Sequence, residues 1–139
     1  MRARLIIALG TAAWLVAQGV AADPAARLSQ ADAASLAELA QKVDVTAAEA
    51  DYRVFPMDPN GNEPDPNFYS FSGMTNGTEK IIGSYAVDRR TGDVWRYLGC
   101  TLVRSHALES LQERYRHRLH MSGAEVHRIE QAGGPAGSC

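Results

Sequence analysis

The sequence predicts an α+β domain, in which an antiparallel meander of three or four strands is covered by an N-terminal and a C-terminal helix. Two observations carry this prediction. Between residues 68 and 99, three runs alternate apolar with polar side chains and are separated by short turns that contain glycine. Before these runs, and again after them, apolar residues recur every three or four positions, which is the spacing of a helix with one buried face.

The N-terminal helix is expected to begin after Ser29, whose side chain is suited to capping it, with Asp32 as an acidic partner in the first turn. The residues before it, 23–28, are expected to form a loose start. The apolar positions that define the buried stripe of this helix are Leu36, Leu39, Ala40 and Val43.

A short first strand is expected at Tyr52–Phe55. Residues 57–67 are predicted to be an exposed loop, because prolines lie in and beside this stretch and proline blocks both helices and sheet ladders. Three clearer strands follow at 68–73, 80–88 and 93–99. The dipeptide Asn76-Gly77 predicts a tight hairpin between the first two of them.

The C-terminal helix is predicted from Ser105 to about His120. Its acidic residues lie early and its arginines late, as the helix dipole favours. Residues 124–131 are expected to add a turn or a short strand, so that a single domain spans 23–131, and 132–139 to form a flexible tail. The buried stripe of this helix is expected to consist of Leu108, Leu111, Tyr115 and Leu119.

Residues 1–22 have the three parts of a secretory leader: two early arginines, an apolar run from Leu5 to Ala17, and small residues before the expected cut after Ala22. The apolar run is shorter than the roughly 20 residues that span a bilayer, which favours cleavage over the alternative of an uncleaved anchor. We therefore expect an exported protein, periplasmic or secreted, with no membrane contact after leader removal. Cleavage leaves 117 of the 139 residues.

Charge is distributed unevenly along the chain. Residues 23–79 carry ten acidic and three basic side chains, whereas residues 80–139 carry six acidic and nine basic ones. Two explanations are open: the halves pack against each other, or one of them presents an interaction face of a single sign.

Two cysteines in an exported chain favour one disulfide. A bridge from Cys100 to Cys139 would close a loop of about 40 residues, for which chain entropy predicts roughly 3–4 kcal/mol of stabilisation. The alternative is that Cys139, the last residue, is free or pairs between molecules.

The sequence has no nucleophile elbow of serine hydrolases, no zinc-protease motif and no C-x-x-C pair. His117 and His120 lie three positions apart on the predicted helix, but the neighbouring Arg116 and Arg118 would repel a cation. We therefore predict no metal and no other cofactor. Net acidity and export argue against nucleic acid as a partner.

The stretch from Tyr85 to Trp95 reads YAVDRRTGDVW. It resembles the strand–turn–strand signature of small exported PepSY-like and cystatin-like domains, in which a similar hairpin follows a helix in an antiparallel sheet. The resemblance covers about 15 residues here. It implies a module without catalytic activity that binds or inhibits another protein, often an enzyme.

These features favour a small exported binding module of the inhibitor or immunity type, whose partner is another exported protein. One alternative is a small periplasmic hydrolase whose site is assembled from scattered residues such as Ser84, Asp88 and His106; another is a structural component of the cell envelope. Aromatic residues that share a strand face are either core or a recognition surface. The side chains expected to contact the partner are Trp95, Arg96, Tyr97, Arg114 and Arg118.

Overall fold

The computed structural model of the chain describes residues 27–45, 51–60, 62–75 and 80–135. They form an α+β fold with three helices and a five-stranded antiparallel sheet, which confirms the predicted fold class. The elements in chain order are α1 (Gln30–Asp44), β1 (Tyr52–Pro56), β2 (Phe68–Thr75), β3 (Ile81–Asp88), β4 (Val94–Arg96), β5 (Thr101–Leu102), α2 (His106–Arg118) and α3 (Gly123–Gln131).

Three predictions fall outside the described residues. They concern the leader, the Asn76-Gly77 hairpin turn and the position of Cys139. The disulfide between Cys100 and Cys139 therefore stays a prediction. Among the described residues, no helix is long and apolar enough to cross a membrane.

The strands are ordered β1-β2-β3-β4-β5, so that each strand pairs with the next one in the chain. The register places Ser70 opposite Ala86, Ala86 opposite Trp95, and Trp95 opposite Leu102. The fifth strand, β5, is not among the predicted ones because its two residues are too few to show an alternating pattern.

Helix α1 packs across one face of the sheet, and Ser29 caps it as predicted, accepting a hydrogen bond from the backbone N–H of Asp32 (3.1 Å). Its buried side chains are small except for Leu36 and Gln41. The prediction that Val43 belongs to the buried stripe is wrong, since its side chain is 43% exposed. The buried arc is rotated towards Ala37 and Gln41, because small residues allow the helix to approach the sheet closely.

The core lies between α1 and the sheet and extends to α2. Leu28 belongs to it and is 2% exposed, and its backbone N–H donates to the carbonyl of Arg89, so the expectation of a loose start up to this residue is wrong. The buried members of the core are Leu28, Ala33, Leu36, Ala37, Ala40, Tyr69, Phe71, Tyr85, Val87, Val94, Val103 and Leu108.

Helix α2 packs on α1, and the predicted stripe of α2 is confirmed: Leu108 is buried, and Leu111, Tyr115 and Leu119 pack against the core. The prediction of a turn or short strand at 124–131 is wrong, because this segment is helix α3. Ser122 caps this helix, because its side chain accepts from the backbone N–H of Glu125 (3.2 Å).

The second face of the sheet is opposite α1. Alternation along the strands directs Tyr69 and Phe71 towards α1, and Trp95 and Tyr97 to this second face. The hydroxyl of Tyr97 is hydrogen-bonded to the hydroxyl of Ser70 at 2.5 Å, so its ring crosses the intervening strand. Each aromatic pair thus shares a face, and only the pair that faces α1 is in the helix-covered core.

Candidate functional site

The sheet has two ends, and each is tied to a helix by an arginine and an aspartate. At the first, called here the β3–β4 end, the turn between β3 and β4 packs under α2. Arg116 donates to the carboxylate of Asp93 (2.6 Å) and to the carbonyl of Thr91 (2.9 Å), and Gln112 donates to the carbonyl of Gly92 (2.9 Å). These bonds fix the turn against α2.

The carboxylate of Asp93 is nearly enclosed, with its side chain 7% exposed. Burial raises its pKa above the ordinary value, although the hydrogen bond from Thr91 (2.6 Å) and the charge of Arg116 act in the opposite direction. Gly92 has a φ of 76°, and a Cβ there would press on Leu36 and Leu28. The Thr-Gly-Asp sequence of this hairpin therefore serves packing, because all its polar groups point inward to partners.

The second end, called here the β4–β5 end, is where α1 ends, β3 begins and the turn 97–100 joins β4 to β5. Arg96 makes a two-pronged contact with the carboxylate of Asp44 (2.6 and 2.9 Å), and the hydroxyl of Tyr85 donates to the same carboxylate (2.8 Å). Burial by itself raises the pKa of Asp44, but these hydrogen bonds outweigh it and lower the pKa below the ordinary value.

A pocket of about 160 Å³ opens beside this ion pair. Its lining includes Gly83, which lies opposite Gly73 in the sheet. A Cβ on Gly73 would overlap the amide of Gln41, and a Cβ on Gly83 would overlap the ring of Tyr85, so the two glycines leave room for these two side chains. Its lining consists of Asp44, Ile82, Gly83, Ser84, Tyr85, Arg96 and Leu98.

One apolar residue that lines this pocket, Leu98, is 92% exposed. Ile81, which precedes the lining residue Ile82 on β3 and does not itself line the pocket, is 61% exposed. Leu98 is held out by the turn in which it lies, because Gly99 and Cys100 follow with φ values of 85° and 49°, and consecutive left-handed residues reverse the chain tightly. Leu98 is therefore presented to solvent beside the pocket.

The five predicted contact residues are not brought together. Arg96 lies in the β4–β5 end, whereas Trp95 and Tyr97 face the second side of the sheet. Arg118, near the far end of α2, pairs with Asp32 (2.6 Å). The fifth residue, Arg114, is exposed on α2.

Two of these arginines link the two halves of the chain. Arg96 reaches Asp44 and Arg118 reaches Asp32, so basic residues of the second half pair with acidic residues of the first. This favours the explanation that the oppositely charged halves pack against each other. The pairs are also the reason why neither guanidinium is fully available to a partner.

Sequence reasoning missed Asp44, Tyr85 and Leu98 at the β4–β5 end. Nothing local marks Asp44, since its partner Arg96 is 52 positions away. For Leu98 a signal exists: an apolar residue directly before Gly99, at the end of a strand, is in a turn and therefore exposed.

Two of the three residues named for the hydrolase alternative are well separated. Ser84 and Asp88 are four positions apart on β3, which is about 13 Å along a strand. Asp88 is buried and paired with Arg90 (2.6 Å), and His106 is exposed at the start of α2. The described residues contain no group of three or more metal-ligating side chains, and His117 and His120 lie at the surface.

No protein-family model matches the chain, and neither does any curated protein. Among solved structures, the fold is similar to that of a chain in a type VI secretion system effector–immunity complex from Pseudomonas protegens. The superposition has a TM-score of 0.59 and covers 80% of this chain and 95% of that chain, at 24% sequence identity. At this identity the likeness shows a shared fold. The PepSY-like or cystatin-like resemblance of the β3–β4 hairpin stays a prediction.

Proposed function

We propose that this chain is an immunity-type protein, which binds a secreted toxin and blocks it. The observation that carries the proposal is the fold it shares, over most of its length, with a chain from an effector–immunity complex. Such a protein needs a rigid scaffold and a contact surface, and it needs no chemistry of its own. The exported location that the leader predicts belongs to the same proposal, with a toxin that acts outside the cytoplasm.

The contact surface in this proposal is the β4–β5 end. Leu98 is the anchor, because an almost fully exposed leucine that enters an apolar depression on a partner removes a large apolar area from water. Ile81 adds to the apolar area, and the pair Arg96–Asp44 holds the turn in place below it. Arg96 is thus a positioning residue for the anchor.

The function is tested by competition between sibling cells. A strain that lacks this gene should lose fitness beside a sibling with an active type VI system, and should not lose it beside a sibling whose system is inactivated. Restoring the gene should restore protection. Equal survival of the deletion strain beside both siblings would refute the proposal.

The surface is tested with Leu98→Asp, which places a charge where the apolar anchor would enter the partner. We expect loss of protection with an unchanged melting temperature, because the side chain makes almost no contact within the fold. Ala124→Asp, at an exposed position on α3, is the matched control and should protect normally. Full protection by Leu98→Asp would show that the toxin binds elsewhere. A variant without residues 2–22 tests the compartment: it should fail to protect if the toxin acts outside the cytoplasm.

A further inference from the structure

Strand β1 lies at the edge of the sheet, so one side of its backbone is turned away from β2. The backbone N–H of Met57 donates to the carbonyl of Ser70 (2.8 Å). Counting back from Met57, every second residue of β1 therefore turns its backbone N–H and carbonyl towards β2. Val54, three positions earlier, therefore directs its N–H and its carbonyl outward, as does Tyr52. Neither outward pair is bonded to any described loop or helix. Unpaired strand edges of this kind are templates for another strand.

The sequence of β1 is complementary to itself when a second copy runs in the opposite direction. With Val54 opposite Val54 of the second copy, Arg53 comes opposite Phe55 and Tyr52 comes opposite Pro56. The two Val54 residues exchange two hydrogen bonds across the symmetry axis. Each Tyr52 donates one more to the carbonyl of Pro56, which accepts although proline has no N–H to return, and pairing ends there.

The cross-strand neighbours fit in chemistry as well as in register. Arg53 and Phe55 are both exposed on the second face of the sheet, and the aromatic ring is 43% exposed. Opposite residues in an antiparallel pair lie about 4.5–5.5 Å apart, which is within the range of a cation–π contact between a guanidinium and a ring. Because the pair is two-fold symmetric, this contact between Arg53 of one copy and Phe55 of the other occurs twice.

The face of the sheet on which α1 lies also has room for a second copy. Glu38 and Lys42 of α1 line a depression of about 250 Å³ next to Tyr52 and Arg53, at this edge. In the pair, the two β2 strands are three strand spacings apart, about 14 Å, which accommodates two helices with diameters of about 10–12 Å lying above them. The two helices run in opposite directions, and each brings one acidic residue, Glu38, and one basic residue, Lys42, to this edge.

We propose that two copies of this chain associate through β1, antiparallel and centred on Val54, to form one continuous ten-stranded sheet. The partner is a second copy and the contact is isologous, so a closed dimer results and no further copy adds. This surface lies on the β1 edge, away from Leu98, and the proposal does not depend on the proposed immunity function.

The test uses the mature full chain and measures its dimer dissociation constant by sedimentation equilibrium. Phe55→Arg places an arginine opposite Arg53 of the second copy twice, which should raise the dissociation constant by about 10–30-fold. The double variant Arg53→Glu with Phe55→Arg restores opposite charges at both places and should recover dimerisation. Both positions are exposed, so the melting temperature of a monomeric variant serves as the folding control.

Each outcome of these measurements either supports or overturns the proposed dimer. A wild-type chain that is monomeric at its highest soluble concentration overturns the proposal, and so does Phe55→Arg with an unchanged dissociation constant. A Phe55→Arg variant that dissociates but is not recovered by Arg53→Glu overturns the register centred on Val54. Recovery by the charge exchange is not expected from any interface in which these two residues do not meet.

Discussion

The two ends of the sheet contain the same chemical pair in different surroundings. Arg116 and Asp93 at the β3–β4 end are 2.6 Å apart, with side chains 20% and 7% exposed. Arg96 and Asp44 at the β4–β5 end are also 2.6 Å apart, with side chains 30% and 23% exposed. The distances alone would therefore assign the two ion pairs the same role, but the burial of their side chains and the neighbouring residues differ.

The neighbours of each pair explain its role. At the β3–β4 end the polar groups of the turn each have a partner inside the molecule, as with Gln112 and the carbonyl of Gly92. Arg116 also borders a cavity of about 460 Å³, but its apolar lining residues, Met121 and Val126, are partly or fully buried. At the β4–β5 end the pair borders a pocket whose rim includes the exposed Leu98. The first pair joins two elements of the fold, and the second supports a surface from which apolar groups project. The same type of ion pair can thus stabilise the fold at one end and hold an exposed apolar side chain in place at the other.

The largest expected effect is that of Arg116→Met. It removes the cation from a carboxylate that the fold has taken out of water, and breaking one partner of such a pair costs about 3–5 kcal/mol in the free energy of unfolding. Urea denaturation measures the loss. Arg114→Met, on the exposed side of the same helix, should change stability by less than about 0.5 kcal/mol. If both substitutions cost the same, the β3–β4 end is not the closed network that its hydrogen bonds indicate.

A smaller effect is expected for Arg96→Met at the other end. Its ion pair is in partial contact with water, where such pairs contribute about 1 kcal/mol or less, and Tyr85 continues to donate to Asp44 after the change. Urea denaturation should therefore show a loss of about 1 kcal/mol, several times less than for Arg116→Met. Arg128→Met, at an exposed position on α3, is the control. A loss as large as that of Arg116→Met would remove the distinction between the two ends.

The sequence predicted elements whose signals are local. The cap at Ser29 and the α2 stripe that begins with Leu108 depend on residues within one or two turns, and they are confirmed. Helix α3 was not predicted, because Gly123, its first residue, disfavours a helix by propensity, while the cap at Ser122 that starts the helix is a weaker signal in the sequence.

The buried stripe of α1 was predicted correctly at Leu36, Leu39 and Ala40 and wrongly at Val43. Gln41 takes the buried position at the end of the helix, and no local pattern in the sequence indicates this, because the room for its side chain comes from Gly73, on a different strand.

The candidate site was predicted only in part for a related reason. Arg96 was predicted as a contact residue from its type, but its pairing with Asp44 joins two elements 52 positions apart, and no spacing rule connects them. Trp95 and Arg96 are neighbours in the sequence and lie on opposite faces of the sheet, as strand alternation requires. A set of contact residues chosen by type therefore divides between faces once the strands are in place.

The smallest expected effect, and the one that separates the two ends most directly, is the direction in which their carboxyl groups titrate. Asp93 has a raised pKa and Asp44 a lowered one, relative to the ordinary value of 3.8. A lowered pKa in the folded state means that Asp44 contributes stability above pH 3.8 that is lost as the pH falls through its folded-state pKa. A raised pKa means the reverse for Asp93, whose contribution is present below pH 3.8 and lost as the pH rises through its folded-state pKa.

Carbon-detected NMR of the two carboxyl groups, from about pH 6 to about pH 2.5, should therefore show Asp93 binding its proton before Asp44 as acid is added. Arg96→Met should move the midpoint of Asp44 upward, because the charge and the hydrogen bonds of Arg96, which lower its pKa, are removed, while burial, which raises it, is retained. The hydrogen bond from Tyr85 also remains and limits the shift. The same substitution should leave the midpoint of Asp93 unchanged, since none of the groups that determine it lies at the β4–β5 end. Midpoints in the opposite order would mean that water reaches Asp93 more readily than Asp44, and the β3–β4 end would then be the more open of the two.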